Sequence, residues 1–289
     1  MWAEKGKQPI RPNGQGQGIM VSDFIEEHGG YLRLSNEEYE AAKDLHPGLW
    51  KEARQLLELG AEYEGYWDSD KFMNQVEHSI TIAEIKYPKE THSLVFLFDQ
   101  SSGYTAFADD ALTVNRMNVR PGGAEAILHD TVWNGMSQRM VLSDGRPKGT
   151  KRVLEERGVN TKGMKAERMR EVLGEMSDFK YEKKKVERLV ASRGHRAIFI
   201  PKFHCELNPI ESCWCHSKHY TRSHCDYTFP GLLAIIDQSL NSVTLDMIRK
   251  FFRKTHETVQ AYCEGLTPGP EMTKALKTYK SHRRISEPQ

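Results

Sequence analysis

Three carboxylates stand where strands and loops could put them to use. Asp99 ends the apolar run of residues 93–99, SLVFLFD, and precedes the small polar turn Gln100-Ser101-Ser102-Gly103. Glu206 follows a second apolar run, residues 197–200, across a proline-containing loop. Glu211 falls on the first turn of the helix opened by Asn208-Pro209. Asn208 is a good N-cap, and proline is tolerated at the first helical position because its missing N–H would be unpaired anyway. One acid after a strand is ordinarily a turn former or a helix cap. Two, each at the C-terminal mouth of an apolar strand, point to a metal site on one rim of an α/β sheet.

A second set of side chains is a Cys/His window: His204, Cys205, Cys213, Cys215, His219, His224 and Cys225. Cys215 and His219 are four apart and share a helical face, so zinc is the rival chemistry. The window lacks a C-x-x-C pair, and Cys213 and Cys215 diverge on a helix, so buried or half-buried thiols are the plainer reading. Cys263 stands alone, and five cysteines in this spacing do not make a secreted disulfide framework.

The third set is basic. Lys180, Lys183, Lys184, Lys185, Arg188 and Arg193, in FKYEKKKVERLVASRG, could track phosphates, with Lys218, Arg222 and the tail residues Arg283 and Arg284 beside them. Glu182 and Glu187 interleave, which also suits a solvated surface helix. Net charge is only +1, so any affinity for nucleic acid must come from such local patches. Gly14, Gly16 and Gly18 precede a strand rather than a helix, so they are no nucleotide fingerprint.

The remaining composition suits a soluble protein: 38% hydrophobic, 28% charged, mean hydropathy −0.65. A chain of 289 residues makes one large domain or two small ones, and on folding buries about 75% of its unfolded surface. No apolar run approaches the roughly 20 residues of a membrane helix, and the first residues lack the apolar core of a signal peptide. The expected location is intracellular, not secreted, with no membrane partner.

The elements that must position these groups follow in order. Residues 1–17 read as a loop or frayed arm. Residues 18–25 form a strand, and 31–34 its hairpin partner across His28-Gly29-Gly30. Ser35 and Glu38 make a capping box for a helix running to Asp44. Residues 49–60 predict a helix ended by Gly60, and Asp70 caps another with Met73, Val76, Ile80 and Ala83 on one face. Residues 106–117 predict a helix, 126–134 and 137–143 a hairpin around Gly135, and 150–157 a helix ended by Gly158. The highly charged stretch 164–193 is almost all helix former. After the Asn208-Pro209 helix come two more, 229–241 and 244–264, the second packing Leu245, Ile248, Phe252, Val259 and Tyr262. Residues 266–289 are a basic, mobile tail.

FLFDQSSGY followed by ELNPIESCW resembles the second and third acidic motifs of the mariner-type DDE transposases and their insertion-sequence relatives. Trp214, three residues after ELNPIE, belongs to the same pattern, and IMVSDF, DDALTVNRMN with PGG, and KHYTRSHCDYTF extend the likeness over most of the chain. The resemblance implies an RNase H-like α/β fold over 18–265: a mixed sheet flanked by helices, with a helical and hairpin insertion at about 120–195. It implies attack by water or a 3′-hydroxyl on a DNA phosphodiester at two magnesium (or manganese) ions, in a nuclear DNA-processing protein, possible as a homo-oligomer. Asp99 would bridge or bind the metals, Glu206 would complete the cluster, and Glu211 would be a further metal ligand.

This sequence departs from the pattern. Gln100 and Tyr104 replace the Asn and His common in the second motif, and residues 1–17 hold one acid, Glu4, outside any strand pattern. The family's first catalytic aspartate, and the strand that carries it, therefore have no counterpart here. The expectation is a DDE core with little or no strand-transfer activity on its own. The alternatives are a non-catalytic DNA-binding remnant, or a zinc module using the Cys/His window.

Overall fold

The computed structural model describes residues 17–59, 65–101, 103–123 and 126–281. Among them the chain is a mixed α/β protein of small sheets and about ten helices, divided into two compact units. One unit holds the described residues up to His92 together with those from Ile200 onward; the other is Ser93–Phe199. The expected arm at 1–17 lies, but for Gln17, outside the described residues, as do Arg283 and Arg284.

In the first unit, β1 (Gly18–Ser22) is antiparallel to β4 (Gln55–Leu59), in register Gly18↔Leu59 through Ser22↔Gln55. The residues of β4 read as helix from their propensities, and the structure makes them a strand. Pairing with β1 overrides propensity because it buries Leu57 (7% exposed). The hairpin across His28-Gly29-Gly30 is present but shorter than expected, with β2 (Ile25–Glu26) paired to β3 (Gly30–Tyr31). Helix α1 (Asn36–Ala42) begins with the reciprocal capping box of Ser35 and Glu38.

Helix α2 (Ser69–Lys86) buries Phe72, Val76, Ile80 and Ala83. Its cap is Asp68 rather than Asp70, because the Asp68 carboxylate accepts from the N–H groups of Asp70 and Lys71. From this helix the fully buried Gln75 donates to the carbonyls of Ser22 and Ala53 and accepts from the Ser22 hydroxyl, tying α2 to the sheet. Further on come α7 (Pro209–His224), α8 (Phe229–Asn241), α9 (Leu245–Cys263) and α10 (Pro270–Ser281). The expected tail is thus helical as far as Ser281. On α9, Ile248 is buried, whereas Leu245 and Val259 are 37% and 43% exposed, so its apolar stripe is only partly covered.

The second unit contains β5 (Val95–Phe98) and β8 (Arg196–Phe199), paired parallel with Phe98 opposite Phe199. Phe96 and Phe98 point into the core, but Val95, Leu97 and Ile198 are 49%, 48% and 43% exposed. The strands expected to be buried are therefore covered on one face only. Between them, β6 (Thr131–Trp133) and β7 (Met136–Gln138) form the expected hairpin, turning on Asn134 and Gly135 with φ of 48° and 78°. Positive φ at both central residues is the type I′ geometry for which Asn-Gly is preferred.

Residues 106–117 are not the expected helix. The carbonyls of Ala106, Ala108 and Asp110 accept from Lys185, Arg116 and His129, so the segment wraps around the core as irregular chain with one 3-10 turn at Val114–Arg116. The stretch 164–193 is broken into α4 (Ala166–Gly174), α5 (Ser177–Lys180) and α6 (Lys185–Ser192), whose apolar residues Met169, Leu173, Phe179, Val186 and Val190 turn inward separately. With α3 (Thr150–Glu156) they cover a core centred on Met140, Val153, Leu154 and Leu173. The described strands thus make four two-stranded sheets rather than one mixed sheet.

Candidate functional site

Glu206 lies on a 3-10 turn, Cys205–Leu207, between the Pro201 loop and α7. Its neighbour Asn208 caps α7 by accepting from the Ile210 N–H, with Pro209 at the first position as expected. The carboxylate is held from two sides. Tyr262 on α9 donates its phenol to Oε1 at 2.5 Å, and His204 Nδ1 lies 2.8 Å from the same oxygen. The His204 ring meets Tyr262 edge-on, with centroids 5.4 Å apart. Partial burial pushes the Glu206 carboxyl upward, but the bonds from Tyr262 and His204 outweigh it and hold the group below the usual carboxylate range. The reciprocal bond pushes Tyr262 up to about 12. Glu206 is thus an oriented carboxylate on an exposed loop.

The same loop carries a residue that sequence reasoning missed. Phe203 is 99% exposed and sits in the left-handed region, at φ 66°. A bulky residue at positive φ is a local strain. Its only signal in the sequence is an aromatic placed in a polar loop just before the acid.

Asp99 directly follows β5 in the second unit and is half-buried. The chain then turns on Ser101, whose carbonyl accepts from the N–H groups of Tyr104 and Thr105. Glu211 is exposed on the first turn of α7. Asp99 belongs to one unit and Glu206 and Glu211 to the other. Among the described residues no three Asp, Glu, His or Cys side chains gather as a metal-binding group. Two ions bridged by oxygen ligands need a fuller donor set than that.

The cysteines divide by environment. Cys213 is fully buried beside Tyr31, and burial pushes its thiol up to about 12, which makes it a core residue rather than a thiolate ligand. Cys205, Cys215 and Cys263 are exposed and Cys225 is half-buried.

The basic residues do not form one stripe. Lys180 pairs with Glu175 at 2.6 Å. The Lys184 ammonium lies 3.4 Å from the centre of the Phe107 ring, and burial lowers its pKa. Arg188 bridges Asp110 and Glu182 at 2.6 and 2.5 Å. These cations are committed to holding the second unit together. Lys183, by contrast, is exposed between α5 and α6, whereas Lys185, half-buried at the start of α6, is itself engaged with a neighbour. Lys218 and Arg222 are exposed on α7 and line one groove of about 370 Å³.

No helix among the described residues is long and apolar enough to cross a membrane. Comparison of the chain with family models, curated proteins and solved structures yields no match.

Proposed function

We propose that this chain is a transposase-derived, DDE-type domain of RNase H-like ancestry that binds DNA and carries out little or no strand transfer on its own. One observation above all supports the reading. Two short strands, β5 and β8, run parallel in register, and each leads into one of the acidic motifs: Asp99 directly, and Glu206 by way of a loop and an Asn-Pro-capped helix. Delivery of acids beyond the carboxyl ends of neighbouring parallel strands is how open α/β sheets build their sites.

In this reading Glu206 stays ionised because Tyr262 and His204 hydrogen-bond to it, and Asp99 is the acid of the second motif. The first acid of the resembled pattern is not matched among these residues, which would leave a magnesium or manganese pair short of ligands. What remains is DNA contact through local cations, with Lys183, Lys185, Lys218 and Arg222 the best placed, in a nuclear setting.

The test has two arms. Purified protein is incubated with supercoiled plasmid and magnesium or manganese, and nicking is expected to stay at background. Metal-dependent nicking abolished by Asp99→Ala would overturn the inactive assignment. In the second arm, a short labelled duplex is titrated by fluorescence anisotropy. Salt-dependent binding is expected, and no binding at low salt would remove the DNA reading altogether.

A further inference from the structure

The groove beside Lys218 and Arg222 has features that phosphate contact alone does not explain. It is walled by Ile19 and Val21 from β1, Trp214 from α7, and Leu232 and Ile236 from α8. On the same sheet face Ile19 stands opposite Glu58 and Val21 opposite Leu56, yet neither β4 residue lines the groove. The groove thus runs along β1 and takes no lining from β4, which pairs with β1 along one edge and leaves the other turned away from it. That edge of β1 has no strand partner among the described residues. Two strands alone are marginal as a sheet, and an unpaired edge offers a row of N–H and C=O groups to another backbone.

Two further observations give the occupant its chemistry. Lys218 and Arg222 stand one helical turn apart at the rim, and no acidic side chain lines the groove. On its floor Ser217 is 5% exposed with a hydroxyl that lacks a hydrogen-bond partner. Its carbonyl is already used by Ser239, which is also bonded to Thr221. A buried hydroxyl left unpaired is costly, and an incoming polar group would relieve it.

We infer that the edge of β1 left without a partner among the described strands and the Trp214 groove form a docking site for an extended, apolar segment of another polypeptide that carries carboxylates. Its backbone adds a strand beside β1, its alternate side chains enter between Ile19, Val21 and Trp214, and an acid reaches Lys218 and Arg222. This is recognition by strand addition, in which main-chain bonds give affinity and pockets for alternate residues give specificity. A nucleic-acid strand lacks the backbone groups to complete the edge and would have to desolvate against Ile and Leu walls. The inference does not rest on the DNA-processing reading and takes Lys218 and Arg222 for a protein partner in place of DNA; the nicking assay bears on neither the edge nor the groove.

The experiment uses the full chain and a labelled short peptide that alternates threonine with valine and ends in two glutamates. Saturable binding is expected. The double variant Lys218→Glu, Arg222→Glu changes only exposed side chains, and should weaken it by about tenfold or more. A peptide ending in two lysines should bind that variant and restore the affinity, which a merely unfolded variant could not do. Trp214→Ala should weaken both peptides alike. The proposal is overturned if no peptide binds saturably, or if the charge exchange fails to restore affinity. It is equally overturned if a single-stranded oligonucleotide displaces the peptide and binds more tightly, or if the protein closes the groove by pairing with a second copy of itself.

Discussion

The Tyr262 phenol donates to Glu206 Oε1 across 2.5 Å, joining a loop acid to a helix far along the chain. The bond fixes where the carboxylate points and secures the turn at Cys205–Leu207 against α9. Tyr262→Phe removes the donor and little volume. The expected loss is about 1 kcal/mol of stability, and the Glu206 carboxyl should move back up toward its ordinary range. An NMR titration of the carboxyl carbon reads the second effect directly. Because the folded pKa is lowered, the stabilisation is present above the unfolded carboxylate range and is lost as pH falls; a Glu206 titration unchanged by the substitution would refute the coupling.

Asp23 has the opposite sign. Its Oδ2 lies 2.7 Å from Arg54 Nε, and both side chains are almost wholly buried. Burial outweighs the attraction of Arg54 and raises the carboxyl from 3.8 to about 6. A raised folded pKa means the contribution is complete below the unfolded value and is lost as pH rises through about 6. Denaturation measured from about pH 4 to neutrality should show stability from this group falling by no more than about 3 kcal/mol. Asp23→Asn should flatten that slope, because an amide in place of the carboxyl has no proton to lose as pH rises through about 6. A slope that survives the substitution would assign the titration to another group.

Arg157 organises the second unit. It makes paired bonds to Asp178 at 2.9 and 2.6 Å, a third to Gln138, and lies over the Trp133 and Phe179 rings. The two side chains are 1% and 8% exposed. Arg157→Ala strands a buried carboxylate and should cost roughly 3–5 kcal/mol. Arg157→Lys should rescue little, since an ammonium cannot supply the paired, planar geometry. Hydrogen exchange across residues 93–199 is the readout, and unchanged protection there would count against the assignment.

Phe203 is fully solvated, so Phe203→Ala should change stability by no more than about 0.5 kcal/mol. Phe203→Gly should stabilise by about 1 kcal/mol, because only glycine adopts the left-handed region without strain. If the loop meets DNA, either change should weaken binding to single-stranded or frayed ends by about 1–3 kcal/mol, the worth of one stacked base. Equal affinity of both variants and the parent chain would take Phe203 out of the interface.

Much of the local structure was legible from residue type because it depends on local physics. The Ser35–Glu38 capping box, the Asn208-Pro209 helix start, the turn at Gly135 and the stop at Gly158 each follow from a cap or a positive φ within a few residues. The positions of Asp99 and Glu206 after two apolar strands were legible for the same reason. Propensity misled where distant partners decide. Residues 55–59 are good helix formers, but the backbone of β1 claims them as strand. Residues 106–117 have their carbonyls taken by Lys185, Arg116 and His129. Periodicity could not reveal that Lys184 and Arg188 are spent on Phe107, Asp110 and Glu182, because ion pairing depends on which charges fold together.

By itself, then, the sequence determined the short-range features: caps, turns, the apolar runs and the two acids that follow them, since each is set by neighbours along the chain. Only the tertiary structure decided that Tyr262 and His204 orient Glu206, that Cys213 is core, and that a basic-rimmed groove opens beside β1. Those outcomes come from burial and from hydrogen bonds between residues far apart in the chain, which no local pattern encodes.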